Sequence, residues 1–297
     1  MEERAIITCG GDYFNIEDTL ECGQVFRFRP YREGYLVFSA DKCAYARETG
    51  GGVTVECAAN DREYFENYFD LKRDYSAICS AAEASGYPIL KTAAAAGKGI
   101  RILNQNREEA LFSFIISQNN NIPRIKGIIE RICRALGERR EFFGEEYYTF
   151  PHAAIMAEKN AEFYAGLGLG YRAGYIAELA GRIAGTDYFD RLSLLSTAEL
   201  RKSLMSIKGV GAKVADCAVL FGFHRADSFP ADTWIEKVYS EDFHGTPCAR
   251  DKISERFVKE FGENAGYFQQ YLFYYKRSKE KALAAAQTDE KAAGKEN

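Results

Sequence analysis

Lys213 and Asp232 lie nineteen residues apart in a setting that suits nucleophilic chemistry. Lys213 lies in the segment IKGVGAKVAD (207–216), in the first turn of a predicted helix. Asp232 follows a proline in the segment SFPADTW (228–234). The helix dipole disfavours an ammonium ion there, so it favours the neutral amine that attacks carbon. Asp232 can cap a helix and also set a carboxylate beside a developing cation. The pair predicts a Schiff-base lysine with an aspartate beside it.

Gly209 and Gly211 predict a tight turn between two helices that can hold a phosphate. Glycine tolerates positive φ and leaves backbone N–H groups unshielded. The start of the following helix attracts anions, so such a contact would hold DNA without reading its sequence. From these residues alone, an ordinary helical hairpin, a capping aspartate and a surface lysine remain open interpretations.

With their flanks, GVGAKVADC and SFPADTW resemble the helix-hairpin-helix DNA glycosylases, and within them the 8-oxoguanine DNA glycosylases. The resemblance implies a bifunctional enzyme that flips 8-oxoguanine out of duplex DNA, expected opposite cytosine. Lys213 would displace the base, Asp232 would stabilise the cation, and β-elimination from the imine would follow. Cys217 lies one helical turn after the lysine, where it packs by default and is placed among the base-binding residues. No cofactor or metal is required.

Two distant segments resemble the base-binding parts of the same family. GQVFRF (23–28) is similar to its N-terminal signature, which implies that the carbonyl of Gly23 accepts the N7–H that guanine lacks. AGYFQQYLF (265–273) resembles the segment in which a glutamine reads the Watson–Crick edge and a phenylalanine stacks on the base. The resemblance assigns these roles to Gln269 and Phe273. Taken alone, Phe273 is equally well a core residue.

Two further segments resemble the parts of the family that replace the flipped base. SQNNNIPRI (117–125) implies that Asn119 fills the vacated space and that Arg124 contacts the orphaned cytosine. GLGYRA (168–173) implies that Tyr171 wedges into the duplex while Arg172 helps to hold the partner base. An aromatic wedge helps to offset the cost of unstacking. A loop at Asn119 and a rim aromatic at Tyr171 are the simpler interpretations.

Trp234 departs from the family pattern, because many members have a histidine there that is thought to hold a phosphate. An indole has one N–H donor and no charge. Trp234 is still placed among the DNA contacts. The indole N–H, backbone amides and a nearby base such as Lys237 all remain open as the phosphate anchor.

Composition limits the remaining possibilities. The chain has 297 residues, 46% of them hydrophobic, and a net charge of −4, so DNA must bind to a local patch and not to a broadly basic surface. The eight cysteines form no CxxC motif, and no iron–sulfur pattern follows Asp232. No leader and no run of eighteen apolar residues is present. We expect an unsecreted monomer of the cytoplasm or nucleoid in a prokaryote, or of the nucleus in a eukaryote, that binds duplex DNA and no membrane.

The pattern of the chain predicts an α+β fold. Short β-branched and aromatic stretches broken by glycine turns indicate an N-terminal antiparallel β-sheet domain at 1–95. Helical periodicity then indicates a mostly α-helical helix-hairpin-helix glycosylase core at 96–276. Residues 277–297 are charged and Ala-rich, which predicts a helix end and a frayed tail.

Two other functions are compatible with the hairpin. The first is a related glycosylase for other oxidised or alkylated purines, although members that remove alkylated bases usually lack the lysine. The second is a non-catalytic hairpin module that only holds DNA. That module would not account for Gly23, Asn119, Gln269 or Asp232.

Overall fold

Five strands near the start of the chain form an antiparallel sheet in the order β1-β5-β4-β3-β2. The computed structural model describes residues 3–293, with side-chain surroundings as far as residue 280. The strands are β1 Arg4–Cys9, β2 Phe28–Tyr31, β3 Gly34–Ser39, β4 Lys42–Thr49 and β5 Gly52–Ala58. Gly50 and Gly51 form the two-residue turn between β4 and β5, which is closed by Thr49 opposite Gly52. The predicted antiparallel sheet is confirmed.

Both faces of this sheet are buried. Neighbouring side chains along each strand point to opposite faces, so each strand contributes apolar side chains to both of them. On one face the buried side chains include Val37, Ala44 and Val55, and they pack against the helices α1 Ile16–Glu21 and α2 Arg62–Tyr68. On the other face lie Leu36, Phe38, Cys43 and Tyr45. The long apolar runs in β3 and β4 follow from this double burial.

A second sheet of two strands, β6 Arg139–Phe142 and β7 Glu145–Tyr148, covers that other face. Its turn residues Phe143 and Gly144 both have positive φ, 55° and 77°, as a tight two-residue hairpin requires. Phe142 is buried against the first sheet, and the Tyr147 ring stacks on Phe38 at 5.3 Å. This hairpin was not predicted. It lies within residues 96–276, where the sequence indicated helices and no strand.

Helices make up most of the chain after the first sheet, which confirms the α+β class. They are α3 Tyr75–Ala84, α4 Pro88–Ala96, α5 Arg107–Ser117, α6 Ile122–Leu136, α7 Ala153–Met156, α8 Ala161–Gly166, α9 Ala173–Ile183, α10 Tyr188–Ser193, α11 Thr197–Met205, α12 Ala212–Cys217, α13 Thr233–Lys237, α14 Arg250–Phe261 and α15 Ala265–Ala293. Side chains of Asn106, Asn121 and Ser196 cap α5, α6 and α11. Single π-helical turns, Ala218–Gly222 and Val238–Asp242, continue α12 and α13.

The helices share one apolar core, and that core reaches back before residue 96. Side chains of α3 and α4, among them Ile78 and Leu90, are buried with those of α5, α12 and α15. The hydroxyl of Tyr271 on α15 lies 3.7 Å from the Cys79 sulfur on α3. The division of the chain at about residue 95 therefore remains a proposal, in which the segment 1–95 contains helices as well as strands.

The last helix, α15, runs through the charged segment that was predicted to be a helix end. It continues to Ala293, so the helical part of the prediction for 277–297 agrees with the structure. The frayed tail was predicted for the last residues, and 294–297 lie outside the described residues. Over residues 3–293, none of the helices is both long and apolar enough to span a bilayer.

Candidate active site and DNA interface

The turn between α11 and α12 contains both glycines of the hairpin, but only one of them needs to be glycine for its backbone. Gly209 has a φ of +83°, and a Cβ there would lie 2.3 Å from the Tyr175 ring. Gly211 is extended, with φ −85° and ψ 175°, and it is the N-cap of α12. The positive φ that glycine tolerates therefore occurs at Gly209 and not at Gly211. At Gly211 a side chain would meet only open space.

Gly211 nevertheless leaves the start of α12 uncapped. It provides no side-chain hydrogen bond, and within the described residues the N–H groups of Gly211 and Ala212 have no partner. Unpaired amides at a helix start attract anions. The hairpin therefore presents an unobstructed backbone to which a phosphate can bind.

Lys213 lies in the first turn of α12, as predicted, but its side chain is exposed and not buried. Its Nζ atom is 5.7 Å from the centroid of Phe114, whose ring stacks on Phe221 at 5.5 Å. Within residues 3–280 no carboxylate lies within 4 Å of this nitrogen. The amine thus stands beside an aromatic wall, and it forms no salt bridge within the described residues.

Cys217 follows Lys213 by one turn and is buried. Burial raises the pKa of its thiol to about 11, although the neighbouring Lys213 charge lowers it. At neutral pH the group is therefore an uncharged thiol. It forms an apolar part of the pocket wall next to the lysine.

Asp232 is the N-cap of α13, and one of its oxygens does the capping. Oδ1 accepts hydrogen bonds from the backbone N–H groups of Trp234 and Ile235, at 2.9 and 3.0 Å. Within the described residues Oδ2 accepts no hydrogen bond. The two interpretations of this residue are therefore compatible, because capping fixes the carboxylate and leaves one oxygen for chemistry.

Lys213 and Asp232 line one pocket together with residues from both ends of the chain. The lining residues are Gly23, Phe114, Lys213, Cys217, Phe221, Pro230, Asp232, Gln269, Gln270 and Phe273. Every predicted catalytic and base-binding residue is in this set. Phe114, Phe221, Pro230 and Gln270 were not predicted, because their helical spacing or flanking position is typical of ordinary core residues.

Gly23 has a φ of +93°, and other side chains occupy the space that a Cβ atom would take at this residue. A Cβ there would lie 2.9 Å from a guanidinium nitrogen of Arg277 and 3.6 Å from the Phe273 ring. Arg277 also donates to the carbonyl of Glu21 at 2.6 Å. Only glycine fits this position, and Arg277 is a further residue at the pocket that the sequence did not reveal.

Gln269 is buried, and its amide has a defined orientation. Its Nε2 donates to the carbonyl of Pro230 at 3.1 Å, two residues before Asp232. Its Oε1 is buried without a hydrogen-bond partner in the described part of the chain. A buried acceptor without a donor is costly, so this oxygen is available to a hydrogen-bond donor that enters the pocket. The neighbouring Gln270 donates to the carbonyl of Cys22 at 3.2 Å and so ties α15 to the Gly23 turn.

Three exposed residues lie close together where two turns meet, the turn between α5 and α6 and the turn before α9. They are Asn119, Arg124 and Tyr171. The Asn119 amide donates to the Tyr171 hydroxyl at 3.3 Å. Arg124 donates to the carbonyl of Gly168 at 3.3 Å. Tyr171 is 55% exposed, which is unusual for so large a ring and marks it as available for contact. We call these three residues the wedge.

Arg172 does not belong to this exposed group, and its contact with the partner base stays a prediction. It is only 3% exposed, and its donors are bound to backbone carbonyls, those of Gln118 and Asn119 among them. In the free protein the guanidinium is therefore held by the backbone of the turns on which Asn119 and Tyr171 lie.

Trp234 is half-buried beside Lys237, whose Nζ lies 5.0 Å from the indole ring centroid. The same Nζ donates to both carboxylate oxygens of Glu280, at 2.9 and 2.7 Å. Lys237 is therefore already paired in the free protein. Within residues 3–280 the indole N–H makes no hydrogen bond, so it and the amides of Gly211 and Ala212 are donors without a partner in the described part of the chain. Over the described chain, no group of three or more His, Cys, Asp or Glu residues is placed to hold a metal.

Comparisons with known proteins agree with this geometry. The family model for the 8-oxoguanine DNA glycosylase N-terminal domain matches residues 6–111. A probable N-glycosylase/DNA lyase of Methanothermobacter thermautotrophicus is 31% identical over 236 residues, which cover 73% of this chain and 75% of that protein. The Clostridium acetobutylicum 8-oxoguanine glycosylase/lyase, solved with duplex DNA that has cytosine opposite the lesion, is 32% identical with a TM-score of 0.86, over 94% of this chain and 98% of that one. MBOgg1 bound to a low-affinity DNA ligand is 35% identical with a TM-score of 0.85, over 94% and 96%. The chain belongs to the 8-oxoguanine DNA glycosylase family of N-glycosylase/DNA lyases.

Proposed function

We propose that this protein excises 8-oxoguanine paired with cytosine in duplex DNA, through Lys213, and then cleaves the strand at the resulting site. One observation carries the proposal: Gly23, Lys213, Asp232, Gln269 and Phe273 meet at a single pocket although they span some 250 residues of sequence. A non-catalytic DNA module would not need these five residues to meet beside a lysine and an aspartate.

The pocket has hydrogen-bonding groups that match an oxidised purine. The carbonyl of Gly23 accepts no hydrogen bond within the described residues, so it is free to accept the N7–H of 8-oxoguanine. The orphan Oε1 of Gln269 accepts from the Watson–Crick edge, where guanine bases have N–H donors. Phe273 stacks on the base, and the Cys217 thiol lines the pocket. Guanine itself lacks the N7–H, which leaves the Gly23 carbonyl unpaired and disfavours its binding.

The lysine and the aspartate act in sequence on the sugar. The Lys213 Nζ forms a bond to C1′ as the glycosidic bond breaks, and the bonding pair leaves with the base. Asp232 Oδ2 stabilises the positive charge that develops on the sugar and accepts the proton lost by the amine. Opening of the sugar ring gives the imine. The departed base, which left with the bonding pair, accepts a C2′ proton; the electron pair of that C–H bond forms a C2′–C3′ double bond and expels the 3′ phosphate, which breaks the strand by β-elimination.

The wedge and the hairpin hold the duplex while the base is out of the stack. Asn119 occupies the vacated space, Tyr171 wedges between bases, and Arg124 contacts the orphaned cytosine. Gly209, Gly211 and Trp234 hold the backbone of the damaged strand. The acidic net charge makes this local set of contacts necessary.

Borohydride trapping tests the lysine directly. With an 8-oxoguanine:cytosine duplex and sodium borohydride, the wild-type protein is expected to form a covalent adduct that migrates more slowly in a denaturing gel. The Lys213→Gln variant should form none, whereas Lys252→Gln, which removes an exposed lysine on α14, should trap like the wild type. An adduct in Lys213→Gln, or none with the wild type, contradicts the assignment. Cleavage at equal rates opposite all four bases would contradict the cytosine preference.

We further propose that the protein acts as a monomer wherever chromosomal DNA lies, in the cytoplasm or nucleoid of a prokaryote or in the nucleus of a eukaryote. Residues of a single chain line the pocket, so the proposed chemistry does not require a second copy. Light scattering at micromolar concentration, with and without DNA, tests the oligomeric state, and a stable dimer would contradict it.

A further inference from the structure

The turn that contains Gly23 is held by side chains of α15, from the other end of the chain. Gly23 comes shortly after the end of α1, and a helix leaves its last carbonyl groups without partners inside the helix. Arg277 donates to the carbonyl of Glu21, the last residue of α1, at 2.6 Å. Gln270 donates to the carbonyl of Cys22 at 3.2 Å. The two carbonyls that precede Gly23 thus receive donors from α15.

Arg277 also contacts Phe273, the residue to which stacking on the base is assigned. Its guanidinium carbon lies over the Phe273 ring, 5.4 Å from the centroid, within the range of a cation–π contact. Its Nη1 is 2.9 Å from the position that a Cβ would take at Gly23, and the Phe273 ring is 3.6 Å from that position. Its Nε atom is buried. The guanidinium therefore fills the corner between the Gly23 turn and the Phe273 ring, and it leaves the opposite face of that ring to a base.

We propose that Arg277 is a positioning residue for base recognition, which fixes the Gly23 carbonyl relative to the Phe273 ring. A purine is rigid, so it can stack on Phe273 and donate its N7–H to Gly23 only if the two are correctly spaced. A hydrogen bond weakens steeply when its geometry is poor, whereas stacking tolerates small shifts. A loosened turn would therefore lose the bond that separates 8-oxoguanine from guanine and keep the stacking that both bases make. This inference rests on the proposed function, because it assumes that the flipped base enters this pocket.

Hydrogen exchange of the DNA-free protein tests whether Arg277 holds the turn. Arg277→Met removes the charge and every donor but keeps an unbranched side chain, so exchange should become faster in peptides that cover 19–25. The control is Lys279→Met, because Lys279 is an exposed cation on the same helix. Its Nζ lies 5.9 Å from the centroid of Tyr275, a ring that is not part of the pocket lining, so exchange at 19–25 should stay as in the wild type. Unchanged exchange at 19–25 in a folded Arg277→Met would overturn the proposal.

Affinity for two duplexes separates positioning from a direct contact with DNA. Both measurements use fluorescence anisotropy at fixed salt in a Lys213→Gln background, which lacks the amine that reacts with the sugar. Adding Arg277→Met should lower the affinity for a duplex with 8-oxoguanine opposite cytosine by about threefold to tenfold, the size of one hydrogen bond. The affinity for the same duplex with guanine should stay within about twofold, because guanine never makes that bond. An equal loss on the two duplexes would identify a phosphate contact and reject positioning.

Trapping on a preformed abasic site separates this inference from the proposed function. An abasic site has no base to recognise, so Arg277→Met should form the borohydride adduct there at close to the wild-type level. Its single-turnover excision of 8-oxoguanine should fall by about tenfold or more, as misplacement of a bound base does. Equal losses in the two reactions would show general damage to the site and contradict the positioning role.

The wild type decides the proposed function separately. If it forms no adduct with either substrate, the proposed function fails, and the exchange result still decides whether Arg277 holds the Gly23 turn. Should Arg277→Met fold poorly by circular dichroism, Arg277→Gln replaces it in all three measurements. Its uncharged amide is on a shorter side chain that cannot reach both Glu21 and the Phe273 ring, so the same results are expected.

Discussion

The two hairpin glycines provide a direct test of the site, because the structure gives them different reasons to be glycine. Gly209→Ala forces a side chain into φ +83°, which costs about 1–2 kcal/mol. Its Cβ would also lie 2.3 Å from the Tyr175 ring, and overpacking of this kind costs about 1–3 kcal/mol. The expected loss in the free energy of unfolding is therefore about 2–5 kcal/mol.

Gly211→Ala is the matched change two residues later. Its φ of −85° suits any residue, and nothing lies within 4 Å of the new Cβ. Alanine is a poorer N-cap than glycine, so the expected loss in stability is below about 1 kcal/mol. The methyl group would instead cover the unpaired amides at the start of α12, and affinity for undamaged duplex should fall about threefold to tenfold, a hydrogen-bond-sized effect.

Two assays separate these effects. Urea unfolding followed by the fluorescence of Trp234, the only tryptophan of the chain, reports stability. Fluorescence anisotropy with an undamaged labelled duplex at fixed salt reports binding. If both variants lose the same stability, the backbone argument at Gly209 is wrong. If Gly211→Ala binds undamaged duplex like the wild type, the phosphate does not approach that amide.

Two other contacts make measurable predictions. Arg27→Met should lower the free energy of unfolding, measured in urea, by about 3–5 kcal/mol, because the buried Glu109, 3.1 Å from Arg27, loses its counter-ion. The control is Arg29→Met, at a partly exposed ion pair, which should cost less than about 1 kcal/mol. Similar losses in the two variants would argue against a buried pair. Glu280→Gln should free Lys237 for phosphate, so the affinity for DNA should rise. The slope of log affinity against log salt concentration should become steeper by about 0.9. An unchanged slope would place Lys237 away from the DNA.

The sequence predicted local features of the backbone well, namely turns, helix starts and helix caps. The Gly50–Gly51 turn follows from glycine alone, and the start of α12 at Ala212 and the cap at Asp232 follow from ordinary helix signals. The hairpin at 139–148 was missed because its strands have four residues each and are mostly charged, so they show no clear alternation. Its one signal was Phe143-Gly144, a pair that suits a two-residue turn.

Burial of individual polar groups could not be predicted, because it depends on elements that are far apart in the chain. Arg172 was predicted to contact DNA, and only the approach of the turn at Gln118 shows that its donors are occupied in the free protein. The exposure of the Lys213 side chain likewise could not be read from its place in the first turn of a helix. The orphan oxygen of Gln269 is visible only once Pro230 has taken the amide nitrogen.

The pocket joins a turn near one end of the chain to a helix near the other, and this has a consequence for synthesis on the ribosome. Gly23 emerges early, Lys213 much later, and Gln269 and Phe273 later still, with α15. A nascent chain can therefore carry the complete hairpin, and with it an affinity for phosphate, before it can tell a damaged base from a normal one. Contacts so distant in sequence also form slowly. The pocket therefore has its complete lining only after α15 has been synthesised.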